Sequence, residues 1–280
     1  MSIAASVEEK FGILLGNYEE LETALLIEAA HKVIFQDINP SRVQDMLYTL
    51  NRRVINLLTS CRLYIDHIQH DLNSIFGKAS GRAEVAVQAM NYQYDVKLGY
   101  RVMEALRNYV QHRGLPIAGV LFGVMPDKPR VGFAAHTVTP LLNTHKLDDD
   151  GGFKQSVLNE LMSAHGEQAD LKPLVREYIE GITEVHRKFR EIIAVDVKQW
   201  ESTLMREMAQ RCTLDGGAQA LAVVHTDDAG HTVEEFHLYW AFLMRRRELE
   251  QRMPLYTPLR KPVVTSDADD LTQMTRTNRE

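Results

Sequence analysis

Three polar residues that can bind a phosphate and move a proton lie close together near the end of a predicted helix. They are Arg107, Asn108 and His112, and Gly114 and Pro116 follow as a stop signal for the helix. A guanidinium group can hold a phosphate through two hydrogen bonds, and an imidazole exchanges a proton near neutral pH. The sequence therefore places candidate acid–base chemistry on a phosphate at this helix end.

The chemistry that suits these residues is cleavage of RNA without a metal ion. His112 would take the proton from a ribose 2′-OH or give one to the leaving oxygen. Arg107 would hold the phosphate and stabilise its charge in the transition state. Asn108 would orient His112 or bind the phosphate. Because the attacking group is the 2′-OH, the substrate would be RNA and not DNA.

The spacing of Arg107 and His112 constrains how they could act on one ligand. Five residues on an ideal helix correspond to about 140° around the axis, so the two do not share a face. They could converge if the helix tightened or ended near His112, or if two copies of the helix met across a dimer. The polar residues opposite the apolar stripe of this helix are Arg101, Glu104, Asn108, Gln111 and His112. The candidate RNA-binding residues at this helix end are Arg101, Gln111 and Arg113.

The Arg-x4-His spacing is a weak signal when it stands alone. Arg62 and His67 show the same spacing, but Leu63 stands where the first pair has the polar Asn108. Arginine and histidine near a helix C-terminus also favour the helix dipole without any catalytic role. The spacing therefore needs support from its surroundings.

The surrounding sequence supplies a family resemblance. The segment 94–117 reads YDVKLGYRVMEALRNYVQHRGLPI, in which an arginine is followed at once by a polar residue and then by a histidine. Upstream, a long helical pattern contains Asn51–Arg53 and Tyr64–His67. Over about residues 17–116 this arrangement resembles the HEPN superfamily, whose mark is Arg-x4–6-His near the end of the last core helix.

The resemblance implies a helical bundle that dimerises, so that two motifs line one cleft. It implies metal-independent endoribonuclease activity, commonly in bacterial toxins or antiphage effectors, with an antitoxin or a defence-system protein as a further partner. The catalytic residues would then be Arg107, His112 and Asn108, and second-tier candidates are Asp66, His67 and Glu104. Some members only bind nucleotides or serve as structural parts, so the alternative is a non-catalytic binding or scaffold protein.

Composition limits the class of protein. The 280 residues are 45% hydrophobic and 25% charged, which allows a buried core in one large domain or two. The net charge of −6 excludes a generally basic nucleic-acid binder, so any RNA contact must be a local patch. Cys61 and Cys212 lie in helical patterns without Cys-x-x-Cys spacing, which fits a reducing cytoplasm.

The sequence shows no signal for export, membrane insertion or a cofactor. Residues 1–10 lack a basic segment before an apolar run, and the longest apolar run, 115–125, is interrupted by Pro116. A membrane helix needs about 20 apolar residues. No P-loop, dinucleotide-binding glycine loop or Gly-x-Ser-x-Gly elbow is present. We therefore expect a cytoplasmic protein that uses no cofactor.

Two groups of residues offer weaker metal-site hypotheses. His67, His70 and Asp71 fall within one turn, but histidine pairs that bind metal on helices are usually four residues apart. The run 148–150 consists of three aspartates, and such a run in a loop is usually solvated. We therefore expect no metal at the site. A metal enzyme that uses His67 and His70 is a third functional hypothesis, after the RNA endonuclease and the non-catalytic scaffold protein.

The expected fold is mainly α, with a HEPN-like helical bundle, two long helices and two small β-hairpins in a C-terminal accessory part. The predicted helices cover 6–35 (with a break considered at Gly16-Asn17), 41–76 (capped by Ser41), 83–113 (with a bend considered near Asn91 or Gly99), 153–164, 170–208 and 241–252. The predicted hairpins pair 117–124 with 130–139 and 218–225 with 231–240. The predicted parts are the bundle at 1–116, the accessory region packed on it at 117–252, and a flexible tail at 253–280.

Overall fold

The computed structural model describes residues 2–35, 39–126, 134–215, 220–253 and 255, which form a mainly α-helical protein with small antiparallel sheets. The helices are α1 (Ser2–Phe35), α2 (Pro40–Phe76), α3 (Arg82–Val96), α4 (Leu98–His112), α5 (Thr144–Asp149), α6 (Gln155–His165), α7 (Leu171–Asp215) and α8 (Trp240–Arg252). The strands are β1 (Gly119–Pro126), β2 (Ala134–Asn143), β3 (Gln168–Asp170), β4 (Ala220–Thr226) and β5 (Thr232–Tyr239). The predicted mainly α fold class is confirmed.

Helices α1 and α2 differ from their predicted details at two points. Helix α1 runs through Gly16 and Asn17 without a break. Helix α2 begins at Pro40, and its N-cap is Asn39 rather than the predicted Ser41, because Asn39 Oδ1 accepts a hydrogen bond from Ser41 N at 3.0 Å. The fixed φ of proline suits the first helical position, so the cap falls one residue before it.

The predicted helical stretch 83–113 is two helices, α3 and α4, separated at Lys97. Lys97 has an extended backbone, with φ −116° and ψ 115°. Shortly after it, Gly99 lies against α7, where an added Cβ would stand 2.6 Å from the carbonyl oxygen of Leu174. The break therefore lets α4 approach α7 at a distance that only a glycine permits.

The aspartate run 148–150, predicted to lie in a polar loop, is partly helical. Asp148 and Asp149 form the end of α5, so the prediction is wrong for these two residues. The chain then turns at Gly151 and Gly152, whose φ angles are 65° and 81°. A helix of six residues is too short to show the apolar periodicity by which longer helices are predicted.

The long helices pack antiparallel around one core. Ion pairs between the helices show the directions. Helix α2 pairs with α1 through Arg42–Glu28 and Arg53–Glu20, and α7 pairs with α1 through Arg176–Glu22 and Arg190–Glu8. In both cases the residue number rises along one helix as it falls along the other. The core contains Tyr64 on α2, Tyr109 on α4 and Tyr178 on α7, each of which is buried. One continuous apolar cluster therefore includes residues of both predicted parts, 1–116 and 117–252.

The strands form two antiparallel sheets. The first has the order β1-β2-β3, with Gly119 opposite Leu141, and β3 is a third strand that the sequence did not predict. The second is the hairpin β4-β5.

The predicted turn at 127–129 and the predicted tail from 256 onward lie outside the described residues. Among the described helices, none combines the length and the apolar character that crossing a membrane requires.

Candidate functional site

The C-terminal end of α4 has a buried side and an exposed side. Leu106 and Tyr109 are buried in the core. The helix stays regular up to His112, and Arg113 then leaves the helical conformation with φ −132° and ψ −64°. The helix therefore ends two residues before Gly114, where the sequence predicted its end, and its last turn meets solvent.

The three predicted catalytic residues lie on this helix end. Arg107 is half-buried, and its Nη1 donates a hydrogen bond to Oδ1 of the exposed Asn108 at 3.0 Å. His112 is exposed and forms no hydrogen bond or ion pair with any other described residue. The hydrogen bond of Asn108 is thus to Arg107 and not to His112. Because the helix is regular, Arg107 and His112 leave its axis about 140° apart, so one chain does not aim them at a common point.

Arg101, a predicted RNA-binding residue, is engaged within the fold. Its Nη1 donates to the carbonyl oxygens of Tyr94 and Asp95 at 2.7 Å, and its Nη2 donates to Glu160 Oε2 at 2.6 Å. It therefore joins the end of α3 to α4 and α6. Gln111, by contrast, is exposed at the surface of α4.

The loop after α5 holds the end of α4 in place. Tyr109 donates its hydroxyl hydrogen bond to Asp150, and Lys146 Nζ donates to the same carboxylate. These hydrogen bonds, from Lys146 and then Tyr109, hold the pKa of Asp150 below its ordinary value, so the carboxylate is ionised at neutral pH. Arg113, also predicted to bind RNA, is exposed and lies against Gly152, where an added Cβ would be 2.8 Å from Arg113 Nε.

Arg62 brings two of the second-tier candidates together. Glu104 accepts a hydrogen bond from Tyr178 Oη at 2.6 Å and from Arg62 Nη1 at 3.3 Å. Arg62 Nη2 also pairs with Asp66 at 2.6 Å. His67, the next residue on α2, is exposed. Glu104 therefore connects α4 to α2 and α7 through hydrogen bonds. Its predicted position opposite the apolar stripe of α4 would instead have left it facing solvent.

Neither of the two residue groups considered as metal sites is arranged as a set of metal ligands. Asp71 is paired with Lys10 Nζ at 2.6 Å, and His70 Nε2 lies 3.5 Å from Ser74 Oγ. Asp150, the last of the three aspartates, accepts hydrogen bonds from the α4 and α5 side chains described above. Within the described ranges, no group of three or more His, Cys, Asp or Glu side chains is arranged to hold a metal ion.

A buried polar cluster that the sequence did not predict lies in the core between α1, α2 and α7. Glu8, Tyr64 and His186 are each at most 1% exposed. Since a carboxylate only accepts hydrogen bonds, His186 Nε2 donates to Glu8 Oε2 at 3.1 Å, and His186 Nδ1 accepts from Tyr64 Oη at 2.9 Å. Arg190 donates to both oxygens of Glu8, at 2.9 Å and 2.7 Å, and Phe11 stacks on the His186 ring at 3.8 Å between centroids.

The pKa values of this cluster follow from its burial and hydrogen bonds. Burial lowers the pKa of His186 below 6.5, although Glu8 opposes this, so the ring is neutral at pH 7. Burial alone would raise the pKa of Glu8, but the hydrogen bonds from His186 and Arg190 outweigh it and lower the pKa to about 2. The available sequence signal was that Glu8 and His186 occupy positions within apolar helical stripes, where an ionisable residue needs a partner.

Comparison of the chain with models of known protein families, with curated proteins and with solved structures gave no match.

Proposed function

We propose that this chain is a metal-independent RNA endonuclease of the HEPN type, with catalysis at the exposed end of α4. The observation that carries the proposal is that His112 is exposed and has no hydrogen-bond partner in the described part of the chain. One turn before it, Asn108 holds the guanidinium of Arg107. A free imidazole can transfer a proton, and Arg107 keeps N–H groups with which to bind a phosphate.

The reaction needs only the RNA and these side chains. His112 removes the proton from a 2′-OH, and the 2′-oxygen attacks the adjacent phosphorus. The bond from phosphorus to the 5′-oxygen breaks, and His112, protonated by the 2′-OH, gives this proton to the leaving oxygen. The products are a 2′,3′-cyclic phosphate and a 5′-hydroxyl end. Arg107 binds the phosphate oxygens, whose negative charge increases in the transition state.

The regular geometry of α4 supports a homodimer as the active form. With about 140° between them, Arg107 and His112 of one chain point to different sides of the helix. A two-fold contact between two copies of α4 would place Arg107 of one copy beside His112 of the other. We infer that each active site takes its arginine from one copy and its histidine from the other.

The first test compares RNA cleavage by matched variants in EDTA. His112→Ala is expected to reduce the cleavage rate by about 10²–10⁴-fold, the usual contribution of a proton-transfer group. Arg107→Ala is expected to reduce it by about 10²–10³-fold, the usual loss when a donor that stabilises transition-state charge is removed. The controls are His165→Ala, at the exposed end of α6, and Arg52→Ala, on the exposed side of α2. A substrate with 2′-deoxyribose at the cleavage point should stay intact. Equal cleavage by the parent and both site variants would refute the assignment.

The second test mixes two inactive variants. When the Arg107→Ala and His112→Ala chains exchange subunits, about half of the dimers are mixed, and each mixed dimer has one complete site of two. The mixture should therefore recover about a quarter of the parental activity. If both groups come from the same chain, the mixture stays inactive, and the shared-site inference is wrong even though the nuclease assignment survives.

The family resemblance extends the proposal to a biological setting. Such nucleases serve as bacterial toxins or antiphage effectors, so we expect the chain to act on RNA in the cytoplasm. A nuclease of this kind needs restraint in its own cell, and an antitoxin or a defence-system protein is the expected partner.

An exposed apolar segment favours a second candidate, a non-catalytic protein that works through an assembly interface. At the end of α1, Ile27, Ile34 and Phe35 are 58%, 69% and 61% exposed. Exposed apolar side chains at helical spacing are typical of a surface that a partner covers. A chain that forms a complex through this end but leaves RNA uncut in EDTA would support this candidate.

A further inference from the structure

A cavity between α1, α7 and α8 is lined by none of the candidate nuclease residues. Its volume is about 220 Å³. The charged residues around it are Glu8, Arg190, Lys198, Glu201, Arg246 and Glu250. A cavity with so many charged groups is unsuited to a purely apolar ligand, and its charge balance decides what it can bind.

The carboxylates that line the cavity are already paired with arginines. Arg190 binds both oxygens of Glu8. Arg247 Nη2 donates to Glu201 Oε2 at 2.8 Å, and Arg246 donates to the other oxygen of Glu201. Arg246 Nη1 also donates to Glu250 at 2.8 Å. The acidic groups are therefore neutralised, and a cationic ligand would have to displace an arginine.

Arg190 and Lys198 keep unused donors, and the Nε of Arg246 is a further donor without a partner in the described part of the chain, but it is buried. Arg190 bonds to Glu8 and to the carbonyl oxygen of Met253 through Nε and Nη2, which leaves its Nη1 without an acceptor among the described residues. Lys198 is exposed, and its Nζ has no counter-ion in the described ranges. These donors could bind an anion without breaking any existing ion pair.

The position of these two residues on α7 suits a shared ligand. Arg190 and Lys198 are eight residues apart, which is about 12 Å along the helix axis and about 80° around it, and both line the cavity. Ala194 lies between them and lines the cavity. Its methyl group leaves open the space that a longer side chain would fill, and the two long cationic side chains can reach toward it from either end.

We propose that this cavity binds a small organic anion through a phosphate or carboxylate head group. The head group lies over Ala194 and accepts hydrogen bonds from Arg190 Nη1 and Lys198 Nζ. A charge-assisted pair of this kind is stronger than hydrogen bonds between neutral groups. The volume of about 220 Å³ is enough for the head group and a compact organic part.

Calorimetric titration with inorganic phosphate and, separately, with acetate at fixed ionic strength tests the proposal. The parent chain should bind at least one of the two saturably, and the one that binds identifies the head group. Lys198→Gln removes the free cation, and Ala194→Leu fills the space between the donors. Each is expected to weaken binding by at least about tenfold, the loss of one charge-assisted contact.

The matched control is Val195→Leu. Val195 is the next residue on α7 and is 77% exposed, so this change enlarges a side chain outside the cavity and should leave binding unchanged. The Lys198 side chain forms no hydrogen bond or ion pair with another described residue, so its variant should melt at the parental temperature. The proposal is overturned if neither anion binds the parent, or if Lys198→Gln and Ala194→Leu bind as the parent does.

Discussion

Replacing Glu8 with glutamine should destabilise the protein at neutral pH and much less in acid. The folded protein lowers the pKa of Glu8 from 4.5 to about 2. At about 1.4 kcal/mol for each tenfold change in proton affinity, ionised Glu8 contributes about 3 kcal/mol to the free energy of unfolding. Glu8→Gln keeps the shape but removes the charge that pairs with Arg190, so this contribution is lost.

The sign of the pH dependence follows from the direction of the shift. Because the pKa of Glu8 is lower in the folded state, the unfolded chain binds the proton first as the pH falls. The contribution is complete above about pH 4.5 and declines toward pH 2. At pH 3 roughly half of it has gone. The pKa of His186 is also lowered in the folded state, so the free energy of unfolding falls further as the pH drops below 6.5.

Urea denaturation followed by circular dichroism, at several pH values between 7 and 3, measures this difference. The gap between the parent and Glu8→Gln should be about 3 kcal/mol at pH 7 and should narrow as the pH falls. Glu191→Gln is the control, since Glu191 also pairs with an arginine and a lysine but at the surface, and should cost less than about 1 kcal/mol. A gap that stays constant from pH 7 to pH 3 would refute the reasoning.

Two further substitutions test how the segment after α4 and the start of α4 are held. Asn51→Ala removes the buried amide that accepts from Ile117 N at 2.9 Å and should lower the free energy of unfolding by about 1–3 kcal/mol in urea denaturation. Gly99→Ala places a Cβ 2.6 Å from the carbonyl oxygen of Leu174 and should cost about 1–3 kcal/mol. Gly16→Ala, whose added Cβ has no atom of the described residues within 4 Å, should instead stabilise α1 by up to about 1 kcal/mol. Equal melting temperatures for Gly99→Ala and Gly16→Ala would contradict the close approach of α4 to α7.

The long helices were predictable because their apolar residues repeat every three to four positions over many turns. The pattern from Val43 to Ile75 predicted α2 almost to its ends. For the stretch 83–113 the sequence offered a bend near Asn91 or near Gly99, and the break lies at Lys97, close to the second. Choosing between the two needs the contact between Gly99 and Leu174 on α7, which periodicity does not show. Short elements such as α5 and β3 hold too few residues for a period to show.

The candidate site was predictable only where its residues depend on their own helix. Exposure of Asn108 and His112 follows from the position of the apolar stripe on α4. Glu104 was placed on the same side, but its partners Tyr178 and Arg62 come from elements distant in sequence. Periodicity describes a single helix and carries no information about such long-range hydrogen bonds. The buried role of His186 was missed for the same reason, because both of its partners are more than 100 residues away.

The distribution of hydrogen bonds around α4 separates residues that hold the fold from residues that are free to act. Arg101, Glu104 and Tyr109 each bond to another element, so replacing one of them would change stability and activity together. His112 has no such bond in the described part of the chain, so His112→Ala should leave the free energy of unfolding within about 0.5 kcal/mol of the parent. A loss of RNA cleavage at unchanged stability would therefore report on chemistry alone. A loss of RNA cleavage in Glu104→Ala would not separate chemistry from stability, because this change also removes the hydrogen bonds that connect α4 to α2 and α7.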